Sequence, residues 1–135
     1  ARHGSTKGPQ WRGGGVVFAP KPRDFSKKVN KEAKRTAFKS ALSTKLRNNE
    51  LIVLDNLAVK EGKTKEFITI LNNLKINRSV IFVDSVRDEL VLRSLNNINS
   101  TSYTTADLLN IYEVVKNNKV VLTVNAVKLL EEAYA

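Results

Sequence analysis

The chain has 135 residues and a mass of 15.1 kDa, the size of one domain or of a small domain with an extension. It contains no Cys and a single His, His3, which excludes disulfides, thiolate metal sites and Cys nucleophiles and leaves little for His-based chemistry. No apolar stretch approaches the roughly 20 residues of a membrane span. There is also no Met, so we expect a processed product or a fragment.

The positive charge is concentrated at one end of the chain. The sequence holds 23 basic and 13 acidic residues, for a net charge of +10. Residues 1–47 contain 13 basic and 2 acidic residues, a net charge of +11, whereas residues 48–135 carry a net charge of −1. A chain this basic indicates a polyanionic partner, most often nucleic acid, and its contacts are expected in the first third.

Residues 1–27 are predicted to form an extended basic arm. The first 25 residues hold five of the six Gly and all three Pro, which neither propagate a helix nor form a central strand. The one continuous apolar run, Val16-Val17-Phe18, is too short for a core. Such a segment becomes ordered when a partner supplies the surface.

Residues 28–135 are predicted to form an α/β globular domain that begins with a basic helix, from about Lys28 to Asn48. Asn30 is the expected N-cap. An apolar stripe at helical spacing comprises Phe38, Ala41, Leu42 and Leu46. Cations crowd the start of the helix, so we expect its second half to pack on the domain and its first half to project.

Beyond this helix, short apolar runs alternate with helical patterns. The predicted strands are 51–55, 79–84, 101–105 and 119–123, of which the first two are expected to be buried. Helical spacing predicts helices in 63–74, 86–98, 111–115 and the C-terminal residues. This alternation predicts a parallel sheet sandwiched by helices.

Two motifs raise the possibility of an enzyme. Asp55 and Asp84 follow predicted strands, where α/β ligand sites form, and could bind Mg²⁺ or accept a phosphoryl group. The simpler interpretation, that each caps a turn or a helix, is favoured because no nucleophile elbow or dinucleotide-binding motif accompanies them. The segment from Gly4 to Gly8 lacks the spacing of a phosphate loop, and we assign His3 no role. No catalytic residue, metal or cofactor is predicted.

The arm is predicted to bind RNA rather than to be a plain solvated tail. Trp11 and Phe18 lie among the charges and can stack on bases, while the adjacent glycines allow the backbone close to phosphates. The prolines on either side of Lys21 favour a stiff segment. The predicted RNA-binding residues are Arg2, Lys7, Trp11, Arg12, Gly13, Gly14, Gly15, Phe18, Lys21, Arg23, Lys27, Lys28, Lys31, Lys34, Arg35 and Lys39.

At these residues the sequence resembles the bacterial-type large-subunit ribosomal protein four family. The most specific match is the string from Pro9 to Phe18, PQWRGGGVVF, followed by PKPR at residues 20–23. Weaker matches in family order are KSALS at 39–43, KTKE at 63–66, LNIYE at 109–113 and VLT at 121–123. The matches span nearly the whole chain.

The resemblance implies an α/β domain on the outer face of the large subunit and a long loop that reaches through ribosomal RNA (rRNA) to the polypeptide exit tunnel. Residues 1–25 would be the returning strand of that loop, packed against rRNA. Family members usually begin with a strand, a helix and the outgoing part of the loop, so we expect a fragment that lacks the N-terminal third. Its sheet would lack part of its packing, and the tunnel-lining residues would be absent.

The sequence therefore predicts a structural constituent of the large ribosomal subunit that binds 23S-type rRNA, supports subunit assembly and the exit-tunnel region, and contacts neighbouring ribosomal proteins. We expect a cytoplasmic, bacterial location, with an organelle ribosome as the alternative, and neither a membrane nor a small-molecule substrate as partner. The alternative functions are an extraribosomal RNA-binding translational regulator and a small α/β phosphotransfer enzyme.

Overall fold

Strands and helices alternate along the chain after residue 30. The protein is described by a computed structural model that covers residues 4–59 and 61–134. The strands are β1 (Leu51–Leu54), β2 (Val80–Asp84), β3 (Thr101–Thr105) and β4 (Lys119–Thr123). The helices are α1 (Lys31–Arg47), α2 (Thr64–Asn73), α3 (Glu89–Leu95), α4 (Ile111–Lys116) and α5 (Val124–Tyr134), with a 3₁₀ turn at Ala106–Leu108.

The four strands form one parallel sheet in the order β1-β4-β2-β3. β4 is central, so that Val121 lies between Ile52 on β1 and Phe82 on β2. The prediction that the first strand is buried is wrong, because β1 is an edge strand and Val53 is 49% exposed. An all-apolar run does not distinguish a central strand from an edge strand, since that depends on which strands pair with it.

Alternate residues of each strand pack into two separate cores. On one face, Ile81 and Leu122 pack beneath α1, α4 and α5. On the other face, Phe82 packs beneath α2 and α3, and its ring meets Phe67 edge to face with centroids 4.9 Å apart. The domain is thus a three-layer α/β/α sandwich, which confirms the predicted fold class.

The helix starts follow local hydrogen bonding and charge. Asp88 caps α3 by accepting a hydrogen bond from the backbone N–H of Leu90 at 2.8 Å, and Asn110 caps α4 in the same way. Asn30 occupies the N-cap position of α1, but its side chain makes no cap hydrogen bond. The helix begins at Lys31, three residues after the predicted start, and Glu32 lies in its first turn, where a negative charge is favourable.

The face formed by α1, α5 and the edge of β1 contains an open apolar cleft of about 540 Å³. Phe38 is buried on one side of it, where its ring stacks on Tyr134 with centroids 4.6 Å apart. Leu46, at the far end of the predicted stripe, is 64% exposed. The apolar stripe of α1 is therefore buried at its start, Phe38, and exposed at its end, Leu46.

Candidate nucleic-acid interface

Residues 4–30 form an exposed segment with neither helix nor strand. All of its side chains are exposed, and only the glycines Gly8 and Gly14 are partly covered. Phe18 is 96% exposed and Trp11 is 52% exposed. The predicted contact residue Arg2 lies, like His3, outside the described residues. The other predicted residues of the segment are placed where a large partner could reach them.

Part of this segment folds back on itself as a small loop from Lys7 to Gly15, called here the glycine loop. The backbone N–H of Gly15 donates to the carbonyl of Lys7 at 2.9 Å and closes the loop. Inside it, the N–H of Trp11 donates to Gly8 and the N–H of Gly14 donates to Trp11, each at 3.0 Å. These bonds hold Trp11 and the neighbouring Arg12 at the exposed tip of a closed turn.

The three consecutive glycines differ in what the loop demands of them. Gly13 has a φ of +78°, a conformation that other residues rarely adopt. A side chain on Gly14 would overlap the backbone carbonyl of Gly8, whereas Gly15 has room for a methyl group. Close approach to phosphates was the predicted reason for these glycines. The loop supplies an intramolecular reason for two of them.

After the loop, local contacts organise the stretch that contains Lys21 and Lys27. The guanidinium of Arg23 lies 4.6 Å from the ring centroid of Phe25, a cation–π contact. Asp24 accepts hydrogen bonds of 2.8 Å from the backbone N–H and the hydroxyl of Ser26. The backbone bond, followed by the hydroxyl bond, lowers the pKa of Asp24 below 3.8. The carboxylate therefore stays ionised and neutralises some of the surrounding positive charge.

The basic start of α1 forms a second cationic surface. Lys28 lies in the exposed chain before the helix, and every residue from 31 to 37 is exposed. Lys31, Lys34 and Arg35 line a cleft of about 340 Å³ next to Asp107 and the C-terminal end of α5. Lys39 lies apart from them, on the wall of the apolar cleft. The helix therefore groups three of its four predicted contacts and separates Lys39 from them.

Lys45 was not among the predicted contacts, and the structure gives it an internal role. Its ammonium group donates to the carbonyls of Asn117 at 2.8 Å and Asn118 at 3.2 Å, and to the carboxylate of Glu50 at 2.8 Å. Only 12% of its side chain is exposed. The hydrogen bond from Lys45 is the main cause that lowers the pKa of Glu50. Lys45 thus joins the end of α1 to the start of β4.

The carboxyl edge of the sheet, where an enzyme site was considered, is occupied by structural hydrogen bonds. One Asp84 carboxylate oxygen accepts from the N–H of Ser85 at 2.7 Å and from the hydroxyl of Thr123 at 3.0 Å. The hydroxyl of Tyr103 accepts from the N–H of Asp88 at 2.9 Å and donates to the carbonyl of Val86 at 3.1 Å. Burial raises the pKa of Tyr103. Asp55 is an exposed residue at the end of β1.

Within the described part of the chain, no three acidic or His side chains lie close enough to share a metal ion. The simpler interpretation of Asp84, as the stabiliser of a turn, is the one that its contacts support. None of the helices within residues 4–59 and 61–134 is long and apolar enough to cross a bilayer.

Sequence reasoning missed a third group of cations, Lys75, Arg78 and Lys119. They line a cleft of about 270 Å³ at the amino edge of the sheet. No local motif marks them, because Lys119 is far from the other two in sequence. Only the pairing of β4 with β2 brings them together.

The protein is a three-layer α/β domain preceded by an exposed basic segment. The chain matches the Ribosomal protein L4/L1 family over residues 1–133. It therefore belongs to this family, which confirms the resemblance seen at the glycine-rich motif. The family is one of structural ribosomal proteins and not of enzymes, so the phosphotransfer alternative is wrong.

Individual relatives agree with the family match. The chain is 47% identical over 135 residues to the large ribosomal subunit protein uL4 of Lachnoclostridium phytofermentans, and 44% identical to that of Alkaliphilus oremlandii. The uL4 protein of Natranaerobius thermophilus is 48% identical over 134 residues. The matches cover 99–100% of this chain but 65% of each relative, so the chain spans slightly less than two thirds of their length.

Proposed function

We propose that this chain is a structural, non-catalytic constituent of the large ribosomal subunit that binds 23S-type rRNA. The observation that carries the proposal is the exposed basic segment before α1. From Lys7 to Lys39, every predicted cation of the described chain is exposed. The family match supplies the ribosomal setting, and the relatives' names supply the large subunit. We further propose that the chain contacts neighbouring ribosomal proteins, supports the exit-tunnel region and has a cytoplasmic location.

The exposed segment and the start of α1 would act by neutralising phosphates. Lys and Arg side chains displace counterions from RNA, which favours binding at low salt and makes it strongly salt-dependent. Trp11, held at the tip of the glycine loop, would stack on an unpaired base or fill a groove. The three-layer domain would fix both surfaces in position. Recognition of this kind follows the shape and backbone of the RNA rather than its sequence.

Sedimentation of a lysate on a sucrose gradient, followed by a high-salt wash, tests the ribosomal assignment. We expect this chain to migrate with the large subunit and to remain there after the wash. Migration as a free small protein would contradict the assignment. Such a result would favour a regulator acting off the ribosome.

Binding to deproteinised 23S-type rRNA tests the role of the exposed segment. If about 8 cations contact phosphates, the logarithm of affinity should fall with the logarithm of salt concentration with a slope near −6. Arg12→Glu should weaken binding, and Trp11→Ala should weaken it with little change in slope. Lys128→Glu, the same charge reversal on the exposed side of α5, is the matched control for Arg12→Glu. A slope near zero for the unchanged protein would contradict the proposal that these cations contact RNA phosphates.

A further inference from the structure

The cluster at the amino edge of the sheet is a cationic surface outside the predicted interface. Its cleft of about 270 Å³ is lined by Glu50, Lys75, Asn77, Arg78, Asn118 and Lys119. Every one of these side chains is polar or charged. The carboxylate of Glu50 is already paired with the ammonium group of Lys45 at 2.8 Å. Among the described residues, no carboxylate lies within ion-pair distance of Lys75, Arg78 or Lys119, so three positive charges remain unneutralised.

The backbone that carries these cations is held by a dense set of hydrogen bonds. The N–H of Lys119 donates to the carbonyl of Ser79 at 3.1 Å, and the N–H of Val120 donates to Glu50 at 2.9 Å. The hydroxyl of Ser79 also donates to the side-chain oxygen of Asn118 at 2.9 Å and accepts from its backbone N–H at 3.1 Å. The starts of β1, β2 and β4 are therefore locked to one another. A rigid base lowers the entropy lost when an anion is bound.

Lys75 is positioned by the end of α2. It has a φ of +53°, and its N–H donates to the carbonyl of Asn72 at 3.0 Å as the chain leaves the helix. The next residue, Ile76, is buried in the core beneath α2 and α3. The turn therefore directs the chain from α2 into the start of β2 and leaves Lys75 exposed beside Arg78.

We infer that this amino-edge cluster binds the phosphate backbone of a second RNA segment, separate from the one contacted by the exposed segment and the start of α1. The inference rests on the proposed function and extends it. The start of α1 lies beside Asp107, just past the carboxyl end of β3, whereas its last turn leads directly into the amino end of β1. Since α1 has 17 residues and is about 25 Å long, the two cationic surfaces cannot share one phosphate group.

The lining favours RNA over a protein partner. The centres of protein interfaces are enriched in aromatic side chains and depleted in Lys and Glu, and this cleft has no apolar side chain at all. Phosphate contacts, in contrast, come from Arg, Lys and Asn side chains. Two anchors at opposite ends of the sheet would let the domain hold two RNA segments at a fixed separation.

Four proteins tested side by side on deproteinised bacterial large-subunit rRNA examine this inference. They are the unchanged chain, an amino-edge variant (Lys75→Gln, Arg78→Gln, Lys119→Gln), an arm variant (Arg12→Gln, Lys21→Gln, Arg23→Gln) and a control variant (Lys65→Gln, Arg93→Gln, Lys128→Gln). The three variants lose the same charge. Urea unfolding verifies that each one folds, and the double variant Arg78→Gln, Lys119→Gln replaces the triple one if Lys75→Gln disturbs its turn.

The salt dependence of affinity is the first measurement. Removing three phosphate contacts should reduce the log–log slope by roughly 2 in both the amino-edge and the arm variant, and the control variant should keep the slope of the unchanged protein. Hydroxyl-radical footprinting is the second measurement. We expect the amino-edge variant to lose protection at one set of nucleotides and the arm variant at another.

Each contrary outcome overturns the inference in a recognisable way. An amino-edge variant that matches the control while the arm variant weakens would overturn the second anchor and leave the proposed function intact. If both variants lose protection at the same nucleotides, the two surfaces do not contact separate RNA segments. No binding by the unchanged chain would overturn both proposals. If poly-glutamate binding falls in the amino-edge variant while rRNA binding does not, the surface fits an acidic protein instead.

Discussion

Charged and apolar side chains are exposed or buried in opposite ways in two regions, residues 4–30 and residues 31–134. The first region exposes nearly everything, including the aromatic rings of Phe18 and Phe25. The second buries two apolar layers against a parallel sheet, and its charges are nearly balanced from residue 48 onward. The apolar core that stabilises the fold therefore lies in the second region, and residues 4–30 contribute no buried side chain to it. Substitutions in residues 4–30 should therefore leave the free energy of unfolding almost unchanged.

The largest expected effect is in the domain core. Phe67→Ala removes a fully buried ring that packs on Phe82, and it should lower the free energy of unfolding by about 3–5 kcal/mol. Phe18→Ala, the same change on an exposed ring, should shift it by less than about 0.5 kcal/mol. Urea unfolding followed by circular dichroism measures both. Equal losses would contradict the separation of the two regions.

Lys45 differs from the exposed cations of the first region, because its ammonium group stabilises the domain. Lys45→Ala leaves the carbonyls of Asn117 and Asn118 without their ammonium donor, so we expect a loss of about 1–3 kcal/mol in unfolding free energy. Lys128→Ala, on an exposed face of α5, should change it by less than about 0.5 kcal/mol. Thermal and urea unfolding compare the pair. A Lys45→Ala protein as stable as the Lys128→Ala protein would remove the structural role assigned here.

In the exposed segment, the glycine loop should be sensitive to one glycine and tolerant of its neighbour. Gly14→Ala forces a methyl group into the carbonyl of Gly8 and should open the loop, whereas Gly15→Ala should keep it. Hydrogen exchange of the Trp11 and Gly15 amides, followed by NMR, should accelerate only in the Gly14→Ala protein. The free energy of unfolding of the domain should stay the same in both. Identical exchange in the two proteins would mean that loop closure does not depend on Gly14.

The smallest effect concerns pH. The pKa of Glu50 is lower in the folded chain than its ordinary value of 4.5, mainly because of the hydrogen bond from Lys45. Between the two pKa values the unfolded chain binds more protons, so this contribution is complete above 4.5 and is lost as the pH falls through the lowered value. Glu50→Gln should flatten the fall of stability at low pH. Urea unfolding between about pH 3 and pH 6 tests this, and parallel curves would exclude the contribution.

Much of the domain could be predicted from the sequence because its signals are local. The apolar runs at 80–84 and 119–123 and the helical spacing of Phe67 and Leu71 identify their elements directly. The edge position of β1 was missed, because pairing depends on residues about 70 positions away. The exposure of Leu46 was missed because helical spacing identifies an apolar face but not how much of that face other elements cover. The amino-edge cations were missed because Lys119 joins Lys75 and Arg78 only through strand pairing.

The sequence by itself determined the alternation of strands and helices, the concentration of positive charge in the first third, and the family to which the chain belongs. These properties depend on composition, spacing and short motifs, which are present before folding. Only the tertiary structure decided that Lys45 is internal, that Gly14 serves a closed loop and that Asp84 stabilises a turn. Each of these depends on a partner atom elsewhere in the fold. For Lys45 and Asp84 that partner comes close only once the sheet has formed, and for Gly14 only once residues 7–15 have closed into a loop.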